Sequence, residues 1–203
     1  MIIKAKYKLC RRLGANIFEK CQTQKFTLSE AKKGGGRKLK RKKMISEYGS
    51  QLLEKQKLRF AYGIREGQLS RYVKEAMAKK GIDIAEDLYI RLETRLDNVI
   101  YRLGLASTRA MARQMVSHGH ILLNNKKVTV PSCQVKKDDL ITIRKGSENK
   151  SFFVDLKEKG KNATLVNWLN FDFQKKEGKM IGLPKLENEE IFNFKSILEF
   201  YGR

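Results

Sequence analysis

The chain has 203 residues, and its 44 Lys and Arg against 22 Asp and Glu give a formal net charge of +22. A hydrophobic fraction of 41% is enough to bury a core in one domain or two small ones. The sequence has no apolar run of the roughly 18 residues that span a membrane and no secretory h-region at its start. Its three cysteines, an odd number, exclude a disulfide scaffold and suit a reducing compartment.

Two segments hold nearly all the excess positive charge. Residues 1–45 contain 15 Lys and Arg with two acids, and residues 91–146 contain 11 with four. The richest run, residues 37–43, follows Gly34-Gly35-Gly36 and predicts a flexible basic loop. A solvated, disordered charge run is the alternative interpretation. The surplus predicts a polyanion as partner.

The first periodic segment, from Ser46 to about Arg91, is predicted to be helical. Its apolar residues recur at i, i+3, i+4, i+7 and i+8, which favours one buried stripe. The stripe consists of Leu69, Tyr72, Val73, Ala76 and Met77. Gly81 is expected to follow the end of this helix, and a further helix is expected over residues 85–93.

A compact unit is predicted from Thr94 onward. Thr94 and Asp97 have capping-box spacing, so we expect a helix over residues 95–103, ended by Gly104. In a second helix, capped by Ser107 or Thr108 and ended by Gly119, Met111 and Met115 are expected to pair at i, i+4.

Strands are expected to follow these two helices. Asn124-Asn125 lies between two β-prone runs, residues 120–123 and 126–130, and predicts a hairpin. Another strand is expected over residues 140–143.

The tail, residues 147–203, predicts another hairpin. Residues 168–173 and 179–183 are its strands, with residues 175–178 as the turn. The final 13 residues are crowded with aromatic and aliphatic side chains. These must be buried against the helical half or against a partner protein.

Arginines recur at helical spacing on both helices of the compact unit. Arg95 and Arg102 lie seven residues apart, and Arg109 and Arg113 lie four apart. We expect them to face outward, opposite the apolar stripes, and to bind RNA phosphates. A solubilising polar face is the alternative. The amides near Ser107 and Thr108 could add an anion site.

No metal, cofactor or catalytic site is predicted. His118 and His120 have no third ligand nearby, and Cys10 and Cys21 lack a CxxC framework. No nucleophile, base and orienting group can be assembled from the sequence. We therefore expect a protein that is not an enzyme.

The sequence resembles a known family, that of bacterial small-subunit ribosomal protein four, nearly from end to end. The matching segments are residues 54–59, Tyr62-Gly63, 95–102, 107–114, 117–121, Pro131-Ser132 and 199–203. The N-terminus departs from the family pattern, because Tyr7 occupies a position where many bacterial members have cysteine and only Cys10 has a matching context.

The resemblance implies an α+β fold, in which both chain ends form a helical domain with an inserted S-four RNA-binding module of two helices and a small β-sheet. The expected boundaries are 1–45 for a basic extension and loop, 46–93 for the helical domain, 94–150 for the module, and 151–203 for a hairpin and tail packing back on the helical domain.

The resemblance also implies a structural constituent of the small ribosomal subunit. The expected partners are the 5′ domain of small-subunit rRNA, small-subunit protein five and mRNA near the channel through which it enters, with no membrane. Roles in nucleating assembly and in decoding accuracy follow from the same resemblance. The expected location is the bacterial cytoplasm, with an organelle-encoded ribosome as the alternative.

The family's rRNA-contacting positions correspond to Arg95, Arg102, Arg109, Arg113, His118, Lys55, Lys57 and Arg59, and its basic segment near the mRNA channel to Arg41-Lys42. With further basic residues, the full predicted RNA-binding set is Arg11, Arg12, Arg37, Lys38, Lys40, Arg41, Lys42, Lys43, Lys55, Lys57, Arg59, Arg71, Arg91, Arg95, Arg102, Arg109, Arg113, His118, Lys126 and Lys127.

Two rival functions remain open at this point. Pseudouridine synthases carry a similar module, and Arg95-Leu96-Asp97 resembles their catalytic segment. Only 57 residues follow position 146, however, which is too few for their separate catalytic domain. An assembly factor or heat-shock RNA-binding protein with the same module is the other rival.

Overall fold

The structure, a computed structural model, describes residues 5–34, 45–79, 81, 83–148, 150, 153, 166–186 and 192–202. The described helices are α1 Lys6–Leu13, α2 Gln24–Gly34, α3 Glu47–Tyr62, α4 Glu66–Ala78, α5 Ile84–Glu93, α6 Leu96–Arg102, α7 Arg109–Ser117 and α8 Phe194–Tyr201. The described strands are β1 Ile121–Leu123, β2 Lys126–Lys127, β3 Leu140–Ile143, β4 Leu169–Asp172 and β5 Glu177–Met180. Within the described ranges, no helix combines the length and the apolar character needed to cross a bilayer.

The chain forms two compact units. The first comprises residues 1–79 and 188–203, and the second comprises residues 80–187. Both chain ends therefore belong to the first unit, which is helical, and the second unit contains the whole sheet.

In the first unit, α3 begins and ends at residues that its local sequence favours for these positions. The Ser46 hydroxyl caps α3 by accepting a hydrogen bond from the Gly49 amide at 3.2 Å. Gly63 ends α3 with a φ of +63°, a conformation that costs glycine little. Four members of the predicted stripe on α4 are buried, but Met77 is 37% exposed, so the stripe is narrower than predicted.

The N-terminal helices have an apolar cluster of their own. It contains Cys10, Phe18, Cys21 and Phe26, all buried. The ring of Tyr7 stacks on that of Phe26 with centroids 5.4 Å apart. The position where many relatives of the resembled family have cysteine is thus occupied by an aromatic side chain that extends an apolar cluster.

The C-terminal helix α8 packs on α3. Gln51 Nε2 donates to Glu199 at 3.1 Å, and the Tyr201 hydroxyl donates to Glu66 at 2.7 Å. The Lys55 ammonium lies 4.1 Å from the centroid of the Phe200 ring. The crowded apolar residues of the tail are therefore buried, at least through Phe194 and Ile197, within this same unit.

The second unit contains one antiparallel sheet in the order β2-β1-β3-β5-β4. The β1–β2 hairpin turns at Asn124 and Asn125, whose φ angles of 49° and 63° fit the turn predicted from the sequence. Strand β2 covers only residues 126–127 of the predicted 126–130. Strand β3 lies where it was predicted, at residues 140–143.

The core of this unit lies between one face of the sheet and helices α6 and α7. Its members are Leu96, Val99, Ile100, Leu103, Leu105, Ala106, Ala112, Met115, Val116, Ile121, Val135, Ile141, Ile143, Phe153, Leu169, Phe171 and Met180. The alternation along β3 and β4, with every second residue buried, gives the sheet one apolar face.

The tail hairpin differs from the sequence-based expectation in the bounds of its strands and turn. Strand β5 pairs with β3, Thr142 opposite Glu177, so the hairpin extends the sheet of the second unit. Its turn precedes Glu177, with Lys176 at a φ of +57°. Gly178, expected in the turn, is buried within β5, where a Cβ atom would lie 2.9 Å from Leu103 Cδ1.

Helix α5 groups by its contacts with the second unit. The capping box predicted at Thr94 is wrong. Thr94 ends α5, and its hydroxyl donates to the Ile90 carbonyl oxygen at 2.7 Å. The Asp97 carboxylate is instead occupied by arginine side chains.

Candidate nucleic-acid interface

Two buried carboxylates organise the arginines of α6 and α7. Glu93, whose side chain is 0% exposed, accepts hydrogen bonds from Arg102 Nε and Nη2, both at 2.9 Å, and from Asn98 Nδ2 at 2.9 Å. Paired contacts of this kind hold the guanidinium in a fixed plane. The Arg102 side chain remains 29% exposed, so part of it still reaches the surface.

The second carboxylate, Asp97, is shared by two arginines. Arg95 donates through Nε at 3.0 Å and Nη2 at 2.8 Å, and Arg113 donates through the same two atoms at 2.9 and 2.8 Å. Arg113 is 22% exposed, whereas Arg95 is 3% exposed. The shared carboxylate ties the start of α6 to the middle of α7.

The prediction that Arg95 faces outward is therefore wrong. Arg95 is the residue preceding α6 and has an extended backbone, with φ −62° and ψ 135°, so helical spacing does not set the direction of its side chain. Its burial is possible because Asp97 neutralises it.

Arg109 completes this arrangement from the first turn of α7. Its Nε donates to Asn98 Oδ1 at 2.7 Å, and its guanidinium carbon lies 4.5 Å from the centroid of the Tyr101 ring. Helix α7 begins there because the Thr108 hydroxyl accepts a hydrogen bond from the Met111 amide at 3.1 Å, as the sequence predicted. We call Glu93, Arg95, Asp97, Asn98, Arg102, Arg109 and Arg113 the arginine network. Its four arginines exceed its two carboxylates, so it carries net positive charge.

Comparison with known proteins places this arrangement in a family. Residues 2–93 match the model of the "Ribosomal protein S4/S9 N-terminal domain", and residues 94–141 match that of the "S4 domain". The chain is 40% identical over 203 residues to small ribosomal subunit protein uS4 of Acetivibrio thermocellus, covering 98% of this chain and 97% of that protein. It is 38% identical over 201 residues to the uS4 protein of Thermotoga petrophila, covering 97% and 96%.

The chain belongs to the uS4 family. The resemblance stated from sequence and the predicted α+β fold, with both ends in a helical unit and an inserted S4 domain, are thereby confirmed. Membership in this family of structural ribosomal proteins also confirms the prediction that the chain is not an enzyme.

The remaining predicted positions of this uS4 chain fall into three groups. The first group is exposed and consists of Arg11 and Arg12 at the end of α1, Arg71 on α4, Lys126 and Lys127 on β2, and His118 after α7. The second group lies outside the described residues and consists of Arg37, Lys38, Lys40, Arg41, Lys42 and Lys43.

The third group consists of cations engaged by carboxylates within one unit. Lys55 is 7% exposed and pairs with Glu66 at 2.9 Å, and Arg59 pairs with the same carboxylate at 3.4 Å. Lys57 pairs with Glu54 at 2.6 Å, and Arg91 with Asp87 at 2.5 Å. Two of these pairs, Lys57 with Glu54 and Arg91 with Asp87, have the i,i+3 and i,i+4 spacing of neighbours on one helix, whereas Lys55 and Glu66 lie 11 residues apart on different helices.

The environment of Glu66 favours its ionised form. Burial alone would raise the pKa of Glu66, but hydrogen bonds from Tyr201 and Lys55, with the charges of Lys55 and Arg59, bring it below its ordinary value. Burial and the hydrogen bond to Glu66 raise the pKa of Tyr201 far above its ordinary range. This group of residues therefore joins α3, α4 and α8, a structural task that competes with RNA binding for Lys55.

The cysteines and histidines do not assemble into a metal centre in the part of the chain that the structure describes, where no group of three potential ligands occurs. Cys10 and Cys21 are buried among phenylalanines. His120 Nδ1 lies 3.0 Å from Ser147 Oγ, and its Nε2 lies 3.3 Å from Lys150 Nζ. The two histidine rings pack edge to face, with centroids 5.9 Å apart.

Proposed function

We propose that this chain is a structural component of the small ribosomal subunit that binds ribosomal RNA through its second unit. The observation that carries the proposal is the match of both family models over residues 2–141. The relatives named above are small ribosomal subunit proteins. The arginine network supports it physically, because its four arginines exceed its two carboxylates, and a surplus of positive charge favours binding of a polyanion.

The network would contribute to RNA binding in two ways. Arg102, Arg109 and Arg113 keep partly exposed side chains, and guanidinium groups of such side chains can pair with phosphate oxygens. Arg95 is too buried for such contact, so it acts by neutralising Asp97 and holding α6 in place. Positions fixed by buried carboxylates lose little side-chain entropy when they bind.

The exposed lysines of the β1–β2 hairpin would supply further phosphate contacts. Lys126 and Lys127 lie on the edge strand β2, and His118 precedes β1. Contacts of this kind neutralise phosphates and position the protein on folded RNA by shape more than by base identity.

We further propose the finer features that the family resemblance implies. These are binding to the 5′ domain of small-subunit rRNA, an early role in assembly, contact with small-subunit protein five, and a position near the channel through which mRNA enters, where the protein affects decoding accuracy. The basic residues 37–43 lie outside the described residues, so their part in this proposal rests on the sequence alone.

The enzymatic rival loses its main support in the structure. A catalytic aspartate must reach its substrate, but the Asp97 side chain is 2% exposed and both of its oxygens accept hydrogen bonds from arginine. Asp97 therefore serves the arginine network. Conversion of uridine to pseudouridine by the purified protein would contradict this assignment.

A salt titration tests the proposal. Neutralising about 6–10 phosphates should weaken binding to the rRNA fragment by roughly 10³–10⁵ between about 50 and 200 mM salt. A nearly flat affinity would overturn the electrostatic mechanism. Quantifying the protein in salt-washed small subunits then separates a resident component, which stays stoichiometric, from an assembly factor, which is washed away.

A further inference from the structure

A cluster of positive groups lies where β1 begins and β3 ends. The Arg144 amide donates to the His120 carbonyl oxygen at 2.9 Å, which extends the β1–β3 ladder one pair beyond Ile121 and Ile143. Directly opposite residues in an antiparallel ladder direct their side chains to the same face. Arg144 therefore leaves the sheet on the same face as His120.

His120 acts as the centre of this cluster. It is 8% exposed, and its imidazole contacts Ser147 through Nδ1 and the Lys150 ammonium through Nε2. His118 packs its ring edge to face against that of His120. Side chains from three parts of the chain, before β1, after β3 and at residue 150, therefore lie around the buried imidazole of His120.

Lys127 lies beside the same histidines. Its side chain crosses Gly119, where a Cβ atom would lie 2.2 Å from Lys127 Cε and 3.1 Å from its Nζ. Gly119, between the two histidines, has a φ of +69°. We call His118, His120, Lys127, Arg144 and Lys150 the histidine cluster.

Carboxylates do not balance this charge in the part of the chain that the structure describes. Glu148, the acid nearest in sequence to Ser147, pairs with Lys176 at 2.7 Å. None of the ion pairs observed among described residues involves Lys127, Arg144 or Lys150. Burial lowers the pKa of His120, and the positive charges of Lys150, His118 and Arg144 lower it further.

We propose that the histidine cluster is a second phosphate site, in which His118, Lys127, Arg144 and Lys150 bind backbone phosphates of ribosomal RNA around the buried imidazole of His120. The inference rests on the proposed function and adds Arg144 and Lys150, which sequence analysis did not select. An arginine fork and two ammonium groups match the charge and the acceptor geometry of neighbouring phosphates. The site is distinct from the arginine network, which is held by Glu93 and Asp97.

The unmodified protein offers a direct test, because its only two histidines, His118 and His120, lie in the cluster. Their imidazole signals in NMR spectra of the full chain can be titrated with and without the rRNA fragment. A bound phosphate would offset the neighbouring positive charges, so the pKa of His120 should rise on binding. An unchanged pKa and unshifted imidazole signals in the saturated complex would overturn the proposal.

A matched pair of double variants gives a second test. Arg144→Gln with Lys150→Gln should weaken rRNA binding and reduce the slope of log affinity against log salt by about 2, one per lost phosphate contact. The control, Lys136→Gln with Lys137→Gln, removes the same charge from exposed residues before β3, at its other end, and should change the slope less.

The two tests separate failure of this inference from failure of the proposed function. If both double variants bind alike while the unmodified protein keeps a steep salt dependence, the histidine cluster is no phosphate site and the proposed function stands. If the unmodified protein itself binds rRNA with no salt dependence, both the phosphate site at the histidine cluster and the proposed function are contradicted.

Discussion

Asp97 and Arg113 lie 16 residues apart, yet the Asp97 carboxylate accepts hydrogen bonds from both Nε and Nη2 of Arg113 at 2.9 and 2.8 Å. The same carboxylate neutralises Arg95, which is almost fully buried. One acidic group thus fixes the geometry between α6 and α7 and makes the burial of an arginine possible. The surface proposed to bind RNA depends on a residue that RNA cannot reach.

Replacing Asp97 should therefore be costly. Asp97→Asn removes the negative charge between two guanidinium groups, one of which, that of Arg95, is buried. Breaking a buried ion pair in this way typically lowers the free energy of unfolding by about 3–5 kcal/mol, and we expect a loss of that size in urea unfolding.

The matched control is Asp138→Asn in the same unit. Asp138 forms an exposed ion pair with Lys179 at 3.0 Å and has a φ of +70°, which asparagine tolerates well. We expect no measurable change in unfolding free energy for this variant. Equal effects at both positions would show that Asp97 does not organise the unit.

Single alanine substitutions at Arg109 and Arg113 should distinguish an effect on RNA binding from an effect on stability. Helical spacing alone, which predicts that both side chains face outward, favours an intact fold when both are replaced by alanine. The hydrogen bonds from Arg113 to Asp97 revise that expectation, because Arg113→Ala deprives a buried carboxylate of a partner. We expect Arg113→Ala to lower the free energy of unfolding by about 1–3 kcal/mol.

Arg109→Ala should affect rRNA binding more than it affects stability. Its guanidinium contacts Asn98 and the Tyr101 ring, which are neutral, whereas Arg113→Ala takes a partner from the buried Asp97 carboxylate. The expected result is weaker rRNA binding, with a salt slope reduced by about 1, and a smaller change in stability than for Arg113→Ala. Unchanged affinity would remove Arg109 from the RNA-binding set.

The contact between Glu66 and Tyr201 predicts how the stability of the helical unit depends on pH. The pKa of Glu66 lies below its ordinary 4.5, so its contribution is present above about pH 4.5 and is lost as the pH falls through the lowered value. The pKa of Tyr201 lies above its ordinary 10.0, so its contribution is present below about pH 10 and is lost as the pH rises toward the raised value.

Urea unfolding across this pH range checks both limits. Tyr201→Phe removes the hydroxyl that donates to Glu66, so it should lower stability near neutral pH and weaken the dependence at both extremes. Tyr7→Phe removes a hydroxyl from an exposed ring in the same unit and serves as the control. A Tyr201→Phe profile parallel to that of the unmodified protein would contradict the assignment.

The elements that the sequence predicted well are those whose determinants are local. The positions of α6 and α7 followed from apolar spacing and from Thr108, whose hydroxyl forms the expected cap. The β1–β2 turn followed from two adjacent asparagines with positive φ. Each of these signals acts over a few residues, so periodicity and turn chemistry were sufficient.

The arginine network could not be predicted in the same way. Helical spacing gives the face from which a side chain leaves, but Arg95 precedes the helix and Asp97 finds one of its partners 16 residues away. The scarcity of acids between residues 91 and 137 favours, by sequence alone, a solvent-exposed face of positive side chains. The two acids present, Glu93 and Asp97, are instead buried and each engages arginine.

The strand pairing of the tail hairpin could not be predicted from local sequence either. Its two β-prone runs were identified, but the choice of partner depends on the pairing of Thr142 with Glu177, which are 35 residues apart. No local pattern encodes that choice. The observed register also places Gly178 against the core, which changes the expected role of this glycine from turn to close packing.

Gly178 supplies the last prediction. A Cβ at this position would lie 2.9 Å from Leu103 Cδ1 and 3.1 Å from Phe171 Cδ2, in a core where both residues are buried. Overpacking of this kind costs about 1–3 kcal/mol, against about 0.4–1 kcal/mol gained when alanine restricts the unfolded chain, so Gly178→Ala should destabilise the unit. Gly146→Ala is the control, since nothing lies within 4 Å of its Cβ position. Because Leu103→Val would make room, Gly178→Ala should cost less in that background than in the unmodified protein, and equal costs in a double-mutant cycle would contradict the close contact.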